Sequence, residues 1–304
     1  MMVLWVIVFL SILSMNFLRS TRWGTGSTHN LKEETIAYYQ ALSGYHEALH
    51  YIASDKDPAV DFLDEEGNFW IDDKTDPVAV KRETEDGEVE IRITDENSRI
   101  NINFVQQDRL RKLLERAGTK EEEILTIIDS VLDWKDPDKE HHLSGAEDDY
   151  YESLEEPYKA KNGAFDVPEE LVLVKGMKPE YLYGDATGAT GLLSLITTFG
   201  NNAININTVS PEVMQFLGLN EVEIETIMKQ RNKAYGGFRF IPQQFSARGL
   251  NAMTTQTFRI EVTSRAKNSP IGARILAIIS REPSATGSKF RTIYWRERAE
   301  TVRA

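Results

Sequence analysis

The sequence predicts an α+β protein. An N-terminal apolar helix continues into a helix-and-strand domain, and a large all-α insertion with two hairpin repeats interrupts that domain. Three observations predict this. Met2 to Leu18 carries no charge and is nearly all apolar. Strand-like segments occur near residue 90 and again after residue 257, on either side of a long helical stretch. Within that stretch Ile-Asn-Ile-Asn occurs twice, each time ahead of a helix–turn–helix pattern. The expected division is an apolar helix over 1–26, a first part of the mixed domain over 27–98, the insertion over 99–250, and closing strands over 251–304.

The elements follow in order. "MVLWVIVFLSILSMNFL" (2–18) is long enough, at about 1.5 Å per residue, to cross most of a hydrocarbon core of roughly 30 Å. It lacks the basic n-region and the small-residue cleavage site of a secretory signal, so a retained anchor is expected. Arg19 and Arg22 follow the span and nothing basic precedes it, which read literally puts the C-terminal side in the cytoplasm. Tyr38, Leu42, Tyr45, Leu49 and Ile52 form one apolar stripe at helical spacing, while Gly24 and Gly26 weaken the join between anchor and stripe. Phe69 and Ile71 suggest a strand. "VEIRI" (Val89–Ile93) alternates strictly, with Glu90 and Arg92 on the opposite face from Val89, Ile91 and Ile93. Phe258–Ser264, Ala273–Ser280 and Phe290–Trp295 return to β character, with a turn over Asn268–Gly272. Between them, "RININ" at Arg99 and "AININ" at Ala203 each lead into two helices. Ser210 with Pro211 and Glu212 is a good helix start.

Composition excludes several functions. The chain has 304 residues, a formal charge of −13 and no cysteine. The charge opposes general nucleic-acid binding, where a basic surface supplies most of the affinity. The missing thiols remove disulfides, thiol catalysis and thiolate zinc sites.

"LDWKDPDKEHHLSGAEDDYYESLEEPY" (Leu132–Tyr158) crowds Asp133, Asp136, Asp138, Glu147, Asp148, Asp149 and Glu152 into one irregular segment. Such a run is either a solvated loop or a hard-cation site. Oxygen donors at irregular spacing suit calcium rather than a transition metal. The loop is not an EF-hand, whose spacing it lacks. His141 and His142 are adjacent, would point apart on a regular element, and are read as solvated.

Together, "TDENSRININ" (94–103), "LDWKDPD…GAEDDYY" (132–151) with "PYKAKNGAF" (157–165) and "LVKGM" (173–177), and "ININTVSPEV" after Ala203 resemble the K-type minor pseudopilins of bacterial type II secretion. The resemblance covers nearly the whole chain. It implies a pilin-like α+β domain interrupted by a helical domain with sterile-alpha-motif-like (SAM-like) repeats, and a basic leader removed by a prepilin peptidase. It also implies calcium at the acidic loop, with Asp133, Asp136, Asp138, Glu147 and Asp148 as ligands and Asp149 as a further one. The implied partners are the I-type and J-type minor pseudopilins, other pseudopilins and the inner membrane, with the head in the periplasm and no nucleic acid or small-molecule substrate. Pilin-like subunits usually carry a glutamate at the fifth mature position that pairs with the subunit above. No acid occurs between Met1 and Arg22, so a tip position that starts assembly is expected.

Three other readings compete. The second hairpin resembles the helix-hairpin-helix of DNA-uptake proteins, but its turn, Leu217-Gly218-Leu219-Asn220, leads into Glu221, Glu223 and Glu225, which repel phosphate. No nucleophile–base pair, P-loop or zinc-helix motif points to an enzyme. A membrane-anchored, calcium-dependent adhesion module differs in needing no assembly through its anchor.

Overall fold

The computed structural model describes residues 2–55, 57, 59–72, 74–184, 191–284 and 287–301; the side chains of 2–4, 6, 16–28, 283, 284, 287, 288 and 301 are outside that description. The chain is a mixture of helices and strands with two hydrophobic cores.

The first element, α1 (Met2–Ala53), is one helix of 52 residues. Gly24 and Gly26 do not interrupt it. Trp5, Ile7, Phe9, Leu10, Ile12 and Met15 on its first half are exposed. Among the described residues no helix is long and apolar enough to cross a membrane. Much of the span expected over 1–26 lies outside the described side chains, Arg19, Arg22 and Asn16 among them.

Five antiparallel strands carry the second half of α1. After the short pair β1 (Phe62–Leu63) and β2 (Phe69–Trp70) come β3 (Lys81–Thr84) and β4 (Gly87–Asp95). Val89, Ile91 and Ile93 of β4 are buried, as their alternation predicts. The face of α1 that meets the sheet differs from expectation. Ala37, Ala41, Tyr45, Ala48 and Ile52 are buried, while Tyr38, Leu42 and Leu49 lie only partly covered at the flanks. The reason is close approach. A Cβ on Gly44 would stand 2.8 Å from Val262 Cγ1 and 3.2 Å from Ile91 Cγ1, so only small residues fit along the contact. An apolar-spacing rule favours the leucines and overlooks the alanines.

The middle of the chain begins with β5 (Ile100–Asn101), α2 (Gln107–Arg116), α3 (Glu121–Lys135), α4 (Asp148–Glu152), α5 (Pro179–Tyr183) and β6 (Ile196–Thr197). It continues with β7 (Ile204–Asn205), α6 (Pro211–Phe216), α7 (Glu221–Gln230), α8 (Gln243–Ser246) and β8 (Leu250–Ala252). Both Ile-Asn-Ile-Asn segments enter short parallel pairs, β5 with β6 and β7 with β8. Their asparagines do matching work. Asn103 Oδ1 accepts from Phe165 N (2.8 Å) and its Nδ2 donates to Phe165 O; Asn207 Oδ1 accepts from Phe238 N (2.7 Å) and its Nδ2 donates to Phe238 O. Ser210 caps α6 as expected, and Asn220 with Glu223 forms a capping box on α7.

The chain closes with β9 (Thr257–Ala266), β10 (Ile271–Ser284) and β11 (Gly287–Thr301), and the sheet order is β11-β10-β9-β4-β3. Ala273, Ile275, Ala277 and Ile279 of β10 join the core under α1. On the other face Leu276 and Ile278 are buried where Val167 and Phe199 approach. Asp95 fastens the end of β4 to the second hairpin: it accepts 2.8 Å bonds from Asn205 Nδ2 and Thr208 Oγ1. Burial pushes its carboxyl up to about 6.

Candidate metal centre

The acidic loop hangs from the C-terminal end of α3. Ile124, Ile127, Ile128, Val131 and Trp134 pack this helix into the core. The same winding places Asp129 and Asp133 one turn apart, both buried. Trp134 stands edge-on to Tyr151, and Tyr151 stacks on Tyr158, which ties α3 to the far side of the loop.

Asp133 is fully buried. Its Oδ1 accepts from the backbone N–H of His142 (3.1 Å) and contacts the Nδ1 of the same residue. Asp129 Oδ2 accepts from Ser144 N (2.9 Å). Two aspartates of one helix therefore hold residues 142–144 against it. Gly145 makes the approach possible, because any Cβ there would collide with the Asp133 carboxylate.

In this loop four buried carboxylate oxygens lack any hydrogen-bond partner among the described residues: Asp133 Oδ2, Asp136 Oδ1, and Glu147 Oε1 and Oε2. Native interiors rarely leave such atoms unpaired. The ligand atoms of Asp136, Asp138 and Glu147 lie within 4.8 Å of one another, and so do those of Asp133, Asp136 and His142. Burial, reinforced by Asp138 and Asp133, pushes the Asp136 carboxyl up; burial, reinforced by Asp133 and Asp136, does the same to Glu147. His142 is raised chiefly by its hydrogen bond to Asp133. The donor set is hard, convergent and electrically unbalanced, and so fits a divalent cation.

Of the six acids singled out in the sequence, the structure brings together Asp133, Asp136, Asp138 and Glu147. Asp148 is turned away, paired with Lys139 Nζ (3.1 Å) and accepting from Ala160 N (3.2 Å). Asp149 is exposed and paired with His141 (3.0 Å). His142 is not merely solvated, as its neighbourhood with His141 suggested. That inference assumed a regular element, but the loop is irregular and turns the two rings onto different carboxylates. Asp129 was also missed; its spacing of four from Asp133 on a helix was the available signal.

Residues 92–183, which contain the whole loop, match the family model described as Type II secretion system (T2SS), protein K. Over this stretch the chain is similar to the protein K family. It is similar to Type II secretion system protein K of Pseudomonas aeruginosa, 31% identical over 160 residues, 48% of this chain and 45% of that protein. It is also similar to the protein of that name from Klebsiella pneumoniae, 28% identical over 142 residues, 42% of this chain and 41% of the relative. The alignments thus span less than half the length of each protein K relative. Among solved structures, a chain of the GspK-GspI-GspJ complex from enterotoxigenic Escherichia coli has a TM-score of 0.56 at 16% identity, covering 91% of this chain and 99% of that one. At that identity the likeness to GspK is one of fold.

Proposed function

We propose that the chain is a minor pseudopilin of a type II secretion system, a structural component without catalytic activity. The observation that carries this is the protein K match over 92–183, on a chain whose fold follows the GspK-GspI-GspJ structure over most of its length. In that complex the solved chain is crystallised with GspI and GspJ, and we extend this to I-type and J-type partners for the present chain. The exposed apolar row of α1, Trp5 to Met15, supports insertion in the inner membrane with the head in the periplasm. The lack of an acid between Met1 and Arg22 supports a position at the tip of a short pilus, with other subunits added beneath. The matching asparagine clamps, Asn103 on Phe165 and Asn207 on Phe238, support reading the two hairpins as repeats of one SAM-like unit.

Calcium is the proposed cofactor of the loop. Asp136, Asp138 and Glu147 would hold it, with Asp133 beside them, and it would neutralise the oxygens that have no protein partner. Its work would be structural: to fix the loop between α3 and α4.

The test is co-purification. Tagged full-length chain, expressed with the I-type and J-type pseudopilins of its own organism, should bring both down from detergent-solubilised membranes. Recovery of neither, with all three expressed, refutes the assignment. Gold label on the head should mark one end of overproduced pili; label along the shaft refutes the tip position.

A further inference from the structure

We infer that the pocket between the two Ile-Asn-Ile-Asn segments binds one compact oxyanion, a carboxylate or phosphate-type group, through the guanidinium groups of Arg99 and Arg109. The pocket opens beside β5 and the start of α2, encloses about 190 Å³ and shares no residue with the acidic loop. It is smaller than the roughly 300 Å³ at which sites for drug-sized ligands begin, so it suits a single small group. Arg99, Arg109, Gln106 and Asn202 supply polar side chains to its wall, and among the described residues no carboxylate lines it. The chain as a whole has 48 acids against 35 lysines and arginines, so this pocket runs against the charge of the molecule.

Arg99 is the deeper of the two arginines, its side chain 24% exposed. Its neighbouring carboxylate, on Glu96, stands 3.8 Å away, too far for a hydrogen bond. Glu96 is already held by Arg259 on one oxygen and by Thr197 on the other. Asp95, next to it in the chain, is engaged by Asn205 and Thr208. Burial draws the Arg99 guanidinium down, and Glu96 only partly offsets that. Arg109, from the first turn of α2, has no carboxylate within 4.0 Å among the described residues. It packs over Gly249, where an added Cβ would meet its Nη2 at 3.4 Å. Gln106 precedes α2 without capping it through its side chain, so the positive end of the helix stands beside the same pocket. The local fold does not demand these charges. Where the first segment has Arg99 ahead of Ile-Asn-Ile-Asn, the second has Ala203. Guanidinium forks match carboxylate and phosphate oxygens in pairs, and an oxyanion in the pocket serves donors that the protein leaves unused.

The test is chemical protection of full-length protein in detergent. Phenylglyoxal modifies accessible arginines, and peptide mass spectrometry reads each site separately. Sulfate is the probe, compared with chloride at equal ionic strength so that screening is the same. At about ten times its dissociation constant, sulfate should slow modification of Arg109 about tenfold. Arg116, exposed at the other end of α2, should react at an unchanged rate. Acetate separates the two sources of the group: protection equal to that by sulfate assigns a carboxylate, and protection by sulfate alone assigns a phosphate-type dianion. Arg99→Gln should abolish the protection of Arg109. Asn202→Asp changes an exposed residue, keeps the packing and places a repelling charge at the pocket, so it should do the same even where Arg99→Gln fails to fold. No protection by either anion overturns the inference. So does equal slowing of Arg109 and Arg116, or protection that survives intact in Asn202→Asp.

Discussion

Withdrawal of calcium is the most direct perturbation. Without a cation, four buried carboxylate oxygens on Asp133, Asp136 and Glu147 have no partner. Each unsatisfied buried polar atom costs about 1–3 kcal/mol, and more when charged. The apo loop therefore carries a penalty of several kcal/mol, which it relieves by protonation, by opening to water or by binding an ion. Calcium at about a hundred times its dissociation constant adds roughly 2.7 kcal/mol to folding. For a chain of this size that raises the melting temperature by about 4 °C. The assay is thermal unfolding of full-length protein in detergent, followed by circular dichroism, in calcium against chelator. Acidity supplies a second axis. Asp136, Glu147 and His142 all have folded-state pKa values raised above their ordinary ones. The calcium-free protein therefore gains stability as pH falls through those values and loses it as pH rises. Calcium needs the carboxylates ionised, so its increment should be large at pH 7.5 and shrink toward pH 5. Asp136→Ala should abolish the increment at every pH. An equal melting temperature with and without calcium at pH 7.5 refutes the reasoning.

Three further outcomes test the packing. Gly145→Ala should destabilise by about 1–3 kcal/mol and remove most of the calcium increment, since the added methyl displaces Asp133; calorimetry with and without calcium checks it. Gly44→Ala should destabilise by about 1–3 kcal/mol despite better helix propensity, and Val262→Ala in the same chain should recover part of the loss, which a double-mutant cycle in denaturant measures. Arg281→Met leaves Asp55 (2.9 Å) and Asp61 (3.5 Å) without their buried counter-ion and should cost about 3–5 kcal/mol at pH 8. Burial already pushes Asp61 up to about 7, so that cost should shrink near pH 5.5, where the carboxyl is neutral; denaturant melts at the two pH values decide it.

The sequence by itself determined whatever is written in local periodicity. Strict alternation in Val89–Ile93 gave the strand and its buried face, because side chains on a strand have a period of two. Ser210-Pro211 gave the start of α6, because capping is a local hydrogen-bond matter. The crowding of Asp133, Asp136, Asp138 and Glu147 was visible because close acids in an irregular segment need a counter-charge. Tertiary structure decided the rest. Only folding showed that β4 lies beside β9, with Val89 opposite Ser264 far along the chain, since antiparallel register is set across the sheet and not along the chain. Only the helix–sheet distance made Ala37, Ala41 and Ala48, rather than Tyr38, Leu42 and Leu49, the buried face of α1. Asp148 and Asp149 were indistinguishable in sequence from Glu147. They separate because α4 begins there, turning Glu147 inward beside Asp136 and the next two residues out to Lys139 and His141. His142 joined Asp133 because an irregular loop has no fixed side-chain direction, and Gly145 let that loop lie close enough for the two to meet.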